Sequence, residues 1–119
     1  MIKVLPSTNP CNEEELVDYA KMLDSLGVEY FHCDVMDGKF VTNKCLNIDK
    51  IREILHNSNM LLDIHLMVEN IEESVKVHAS LKPSIITIHI EALKSFNQFM
   101  KIQKFLKEKV FHIFLAIYL

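Results

Sequence analysis

Tyr30 to Val41 reads YFHCDVMDGKFV, and its alternation decides how the rest of the chain is read. On an extended strand successive side chains point to opposite faces, so His32, Asp34 and Met36 share one face while Phe31, Cys33 and Val35 share the other. An imidazole and a carboxylate two residues apart on a strand can converge on one metal ion or one substrate atom, which the same spacing on a helix forbids. Gly38, in the acidic turn that follows, lets the chain leave the strand sharply.

The same face recurs downstream. In MLLDIHLMVEN, Asp63, His65 and Met67 alternate with Leu62, Ile64 and Leu66. In SIITIHIEA, Thr87, His89 and Glu91 alternate with Ile86, Ile88 and Ile90. Any one of these histidines alone fits a core residue satisfied by a backbone partner. Three strands that each carry a central histidine weigh towards a shared site.

Helical segments separate the strands. Ile2 to Ser7 reads as a first short strand closed by Pro6 and the turn-rich Ser7 to Pro10. Asn12 and Glu15 make a capping-box-like pair ahead of a helix with Leu16, Tyr19 or Ala20, Leu23 and Leu26 on one stripe, and Gly27 ends it. Asn43 to Leu46 reads as loop, and Asn47 caps a second helix with Ile48, Ile51 and Leu55 inward. Asn70 and Glu73 repeat the capping arrangement for a third, ending near Leu81 and Pro83. A fourth, roughly Ser95 to Glu108, points Phe96, Phe99, Ile102 and Leu106 inward, and the tail FHIFLAIYL reads as a fifth buried strand. This strict alternation predicts a parallel sheet with right-handed crossovers, whose ligands gather beyond the C-terminal strand ends, where Ser7, Asp34, Met36, His65, Met67 and Glu91 fall.

Composition narrows the function classes. The 119 residues, half of them hydrophobic, suffice for one small domain spanning 1–119. With 13 basic and 16 acidic residues and no basic run, nucleic acid is not an expected partner. The apolar stretch from Val110 to Leu119 is far short of the roughly 20 residues a membrane-spanning helix needs. Cys11, Cys33 and Cys45 are odd in number, lack C-x-x-C pairing and follow no secretory leader, which reads as a reduced, cytoplasmic compartment. Gly27 and Gly38, the only glycines, belong to no dinucleotide or P-loop fingerprint.

His32, Asp34 and His65 therefore form a candidate ligand set for a divalent metal such as zinc, iron, manganese or cobalt, with a position left for substrate. Such an ion acts as a Lewis acid on a substrate carbonyl while Asp34 exchanges the proton on the adjacent carbon. Met36 and Met67 either keep that site dry or simply fill the core, and Glu91 is either a spare carboxylate or half of a rim salt bridge.

HCDVMDGKFV, DIHLMVEN and TIHIEA, in this order after an N-terminal Pro6-Ser7, closely resemble the ribulose-phosphate 3-epimerase family. The resemblance covers the chain to about residue 94 and implies a (β/α)8 TIM barrel and metal-assisted interconversion of D-ribulose 5-phosphate and D-xylulose 5-phosphate. It implies His32, Asp34 and His65 as metal ligands, Asp34 as one of two acid/base carboxylates, and Ser7, His65, Met36 and Met67 at the substrate. A full barrel takes about 250 residues. The expectation is thus a truncated barrel of about four β-α units and a fifth strand, without the second acid/base aspartate or the glycine-rich phosphate turns. Two other readings accompany it: an epimerase for a hexulose phosphate, and a non-catalytic chain that forms homo-oligomers through its open sheet.

Overall fold

The alternation of Tyr30–Asp37 is realised as an eight-residue strand, β1. The computed structural model describes residues 1–110 and 112–117. In chain order α1 (Leu16–Ser25) precedes β1, a two-residue strand β2 (Lys44–Cys45) follows, then α2 (Ile48–Asn57), β3 (Leu61–Met67), α3 (Ile71–Ala79), β4 (Ile85–His89), α4 (Phe96–Lys107) and β5 (His112–Ala116). The sheet order is β2-β1-β3-β4-β5, with β1, β3, β4 and β5 parallel and β2 antiparallel to β1. The sheet is open. No helix among the described residues is long and apolar enough to cross a membrane.

The core lies between the helices and one face of the sheet. Phe31, Cys33, Leu62, Ile64, Leu66, Ile86 and Ile88 point to that face and are buried, as their odd or even parity requires. Leu16, Ala20 and Leu23 of α1, Ile51 and Ile54 of α2, Ile71 and Val75 of α3, and Ile102 and Leu106 of α4 close over them. Register places one row across the opposite face, Asp34 beside His65, His65 beside Thr87 and Thr87 beside Phe114.

Local chemistry accounts for the element ends. At the end of α1 the Val28 amide donates to the Leu23 carbonyl and the Gly27 amide to that of Asp24, with Gly27 at φ +78°, the left-handed closure that glycine permits without strain. The side chains of Asn47 and Ser95 accept from the Lys50 and Gln98 amides and start α2 and α4. Asp37 Oδ1 accepts from the Lys39 and Phe40 amides at 2.8 and 2.9 Å and its Oδ2 from the Glu69 amide at 2.7 Å, so one carboxylate ties the loop after β1 to the loop after β3.

Several expectations are corrected. Ile2 to Ser7 is not a strand: only Ser7 bridges β1, through His32 N–H to the Pro6 carbonyl and Thr8 N–H to the His32 carbonyl, while Ile2 and Val4 are exposed. Proline offers no N–H to extend that ladder. Helix α1 starts at Leu16, not after Asn12, because residues 13–15 form a turn, and Leu26, beyond its end, is 72% exposed. Asn70 precedes α3 without a side-chain cap, its amide going to Glu73 instead. Lys44–Cys45, read as loop, pairs with Met36 and Asp37. Ile54, not Leu55, is the fully buried residue of that turn of α2, and Phe96, the first residue of α4, is 73% exposed because the helix has not yet reached the sheet. Residues Ile90–Ala92 form a 3-10 turn, so Glu91 leaves the strand parity of His89. β5 is a strand but not a buried one, with Phe114 52% and Leu115 46% exposed, and Phe111, Tyr118 and Leu119 of that expected strand lie outside the described residues.

Candidate metal and proton-transfer site

Parallel pairing sets Asp34 directly beside His65 and His32 beside Asp63. The polar face of β1 therefore meets the polar face of β3 with no insertion or slip, and a one-residue shift would have sent each histidine to the helix side. Asp34 is the hub. Its Oδ1 lies 3.0 Å from His32 Nε2 and 3.1 Å from His65 Nδ1, and its Oδ2 accepts from Ser7 Oγ at 3.0 Å. The Asp34 amide donates to Thr8 Oγ1 at 3.3 Å, so the segment after Pro6 holds both ends of this residue.

Further contacts orient the rings. His32 Nδ1 is 2.7 Å from Asp63 Oδ2, and His65 Nε2 is 2.8 Å from His89 Nε2. The rings of His65 and His89 stack at 4.9 Å between centroids. Met36 and Met67 are register partners two pairs further along the strands than Asp34 and His65, with Met67 buried. Glu91 stands on the exposed 3-10 turn with Oε2 3.6 Å from His89 Nδ1. Of the residues picked out from sequence, Ser7, His32, Asp34 and His65 are joined by direct contacts, Met36 and Met67 sit beside them, and Glu91 lies next to His89.

Electrostatics follow the contacts. Hydrogen bonds to Asp34 and Asp63 raise His32 to about 10 against the effect of burial, so with no ion bound the ring is an imidazolium donating from both nitrogens. Burial pushes the Asp34 carboxyl up, but hydrogen bonds from His32, His65 and Ser7 outweigh it and hold the group well below the usual carboxylate range. Burial and the neighbouring His65 lower His89, which keeps that ring neutral and able to accept. Cys33, on the helix side, is pushed up to about 12 by burial and takes no part.

The donor set fits a divalent metal. One ligand atom from each of His32, Asp34 and His65 lies within 4.8 Å of the other two, and two imidazole nitrogens with a carboxylate oxygen suit zinc or another first-row ion. Thr8, Asp63 and His89 belong to the same cluster, although from sequence none of them is expected as a ligand or an acid/base residue and His89 stands out only as the third strand-central histidine. The signal for the last two was present as parity, since each shares the face of a neighbouring candidate, but only strand register shows which ring each one meets. A cleft of about 730 Å³ at the opposite end of the sheet, bordered by Lys76, Lys82, Lys107 and Lys109, shares nothing with this chemistry.

An open parallel α/β sheet with helices on one face, and a His-Asp-His constellation on the other, define a barrel-type α/β protein with a candidate metal site. The family profile described as the ribulose-phosphate 3 epimerase family matches residues 3–113. The chain belongs to that family. A Helicobacter pylori ribulose-phosphate 3-epimerase is 34% identical over 104 residues, covering 87% of this chain and 46% of the relative. That of Methanocaldococcus jannaschii is 34% identical over 94 residues, 79% of this chain and 39% of the relative. A rice protein named as the cytoplasmic isoform is 34% identical over 89 residues, 75% of this chain and 39% of the relative. The chain spans about half the length, or somewhat less, of the curated relatives it matches.

Proposed function

We propose that residues 1–119 act as one domain carrying the metal-binding and first proton-transfer half of a ketose-phosphate 3-epimerase site, whose substrate pair is D-ribulose 5-phosphate and D-xylulose 5-phosphate. The observation that carries this reading is the carboxylate of Asp34, shared between His32 Nε2, His65 Nδ1 and Ser7 Oγ at 3.0 to 3.1 Å. His32, Asp34 and His65 would hold a divalent ion, and zinc, iron, manganese or cobalt all suit the donor set. Bound there, the ion supplies a Lewis acid that lowers the cost of negative charge on the substrate's oxygens.

Asp34 takes the proton from C3 of the ketose phosphate: the C3–H bond breaks and its electron pair moves into a C2–C3 double bond as the carbonyl oxygen gains charge. The low pKa of Asp34 keeps it ionised at neutral pH, the state a proton acceptor needs. Ser7, donating to Asp34 Oδ2, fixes the carboxylate's rotation and lies where a substrate hydroxyl would approach. Met36 and Met67 cover the site on the strand-end side and exclude water. Inversion needs a second acid on the opposite face of the planar intermediate, and none of this chain's residues matches a family motif for that role. Three cysteines free of disulfides fit a reducing, cytoplasmic setting.

The test is to incubate purified chain, a divalent metal and ribulose 5-phosphate in deuterated water, following label at C3 and xylulose 5-phosphate together. Slow label uptake without inversion is expected, abolished in Asp34→Asn. Absence of uptake in the unaltered chain, or uptake that survives Asp34→Asn, sinks the role given to Asp34. Inversion at about 10 s⁻¹ or faster sinks the half-site reading.

A further inference from the structure

We infer that Asp63 and His89 are positioning residues that fix the tautomers of the two histidine ligands, one partner for each ring; this rests on the metal reading proposed above. Either nitrogen of a neutral imidazole can carry the proton, and only the bare nitrogen can bind an ion. At His32, Asp63 Oδ2 accepts from Nδ1–H at 2.7 Å, so the proton stays on the far side and Nε2 is left facing Asp34. At His65 the arrangement is reversed: Nε2 lies 2.8 Å from His89 Nε2, and Nδ1 is the nitrogen turned to Asp34. The two rings thus offer different nitrogens to one point, and each needs its own partner to do so.

Burial and register support the assignment. Asp63 and His89 are 7% and 4% exposed, and each comes from the strand next to that of the ring it holds, β3 for His32 and β4 for His65. Asp63 Oδ1 is buried with no hydrogen-bond partner among the described residues, so the only side chain bonded to this carboxylate is His32. A carboxylate kept out of water for one bond is a poor device for stability alone. It is a good one for aiming a ring and raising the basicity of its other nitrogen, since an anion on the remote N–H strengthens the ligand.

The experiment titrates zinc into the full chain and into His32→Ala, Asp63→Asn, His89→Leu and His89→Gln, with circular dichroism as the folding control. Nitrogen-15 spectra of the zinc-loaded unaltered chain report the tautomer of each ring. Expected are protonated Nδ1 on His32 and protonated Nε2 on His65. Zinc affinity should fall about 10- to 100-fold in His89→Leu and recover in part in His89→Gln, whose amide oxygen can still accept; in Asp63→Asn, whose amide oxygen also still accepts, it should fall by less, through loss of the anion alone. A failure of zinc to bind the unaltered chain, or equal binding by His32→Ala, overturns the metal reading and this inference with it. Binding that is lost in His32→Ala but undiminished in both Asp63→Asn and His89→Leu overturns this inference alone. So does a zinc-loaded His32 protonated on Nε2, a readout that stands even if a variant does not fold.

Discussion

His78 and Asp34 show two opposite fates of a buried titratable group. Asp34 is surrounded by donors and keeps its charge, whereas His78, on α3, meets only Ser74 through one nitrogen among the described residues: its Nδ1 lies 2.8 Å from the Ser74 carbonyl and 3.3 Å from Ser74 Oγ, and Nε2 is buried with no partner among the described residues. Burial, with Arg52 adding to it, lowers the pKa of His78 despite the bond to Ser74. The folded state therefore refuses a proton that the unfolded chain accepts at its ordinary value near 6.5. Stability from this group is fully present above that value and is lost as pH falls below it towards the lower folded pKa. Urea midpoints at pH 7.5 and 5.5 should accordingly drop less in His78→Leu than in the unaltered chain. An equal drop in both would remove His78 from the acid response.

Helix starts divide into those a side chain closes and those it does not. Asn47 Oδ1 accepts from the Lys50 amide at 3.0 Å, while Asn70 turns its amide to Glu73 at 2.7 Å and caps nothing. Truncating a bonded cap costs about 1 kcal/mol, whereas an exposed amide-carboxylate pair contributes a few tenths. Asn47→Ala should thus lower the free energy of unfolding by about 1 kcal/mol and Asn70→Ala by clearly less. Chemical denaturation of the two variants checks the ordering, and equal losses would show that hydrogen bonding at the cap is not what separates them. The two residues look alike in sequence, each an asparagine just before an apolar-periodic run, and backbone conformation decides between them: Asn47 is extended at ψ 164° and Asn70 is not, at ψ 73°.

At the scale of the molecule the sheet ends differently on its two sides. The outer edge of β1 is occupied by Ser7 below and by β2 above, whereas no strand pairs with the outer edge of β5 among the described residues. That edge carries Phe114 on the site face and Leu115 on the helix face, both about half exposed. An unpaired, apolar, parallel edge is a template for another chain. Sedimentation should show the average mass rising with protein concentration, and Leu115→Lys should suppress the rise, since a charge on an edge strand opposes pairing. A mass that is independent of concentration in the unaltered chain would dismiss association through this edge.

What the residues determined by themselves is parity and element type. Alternation put His32, Asp34, Asp63, His65 and His89 on one face and Phe31, Cys33, Leu62, Ile64, Ile86 and Ile88 on the other, because the strand period is two and the helices cover only one face. Where alternation gave way to turns, local pattern was a poorer guide, as at Glu91, whose 3-10 turn breaks the period, and at Ile2 to Ser7, which lacks a ladder of partners. Tertiary structure alone decided which residue meets which. Setting Asp34 beside His65, His32 beside Asp63 and Ser7 against Asp34 depends on the stagger of strands and loops 27 to 31 residues apart in sequence, which no local propensity encodes. Register is a property of pairs of strands, set when both bury the same apolar face against the same helices, and the polar cluster on the other face is its consequence.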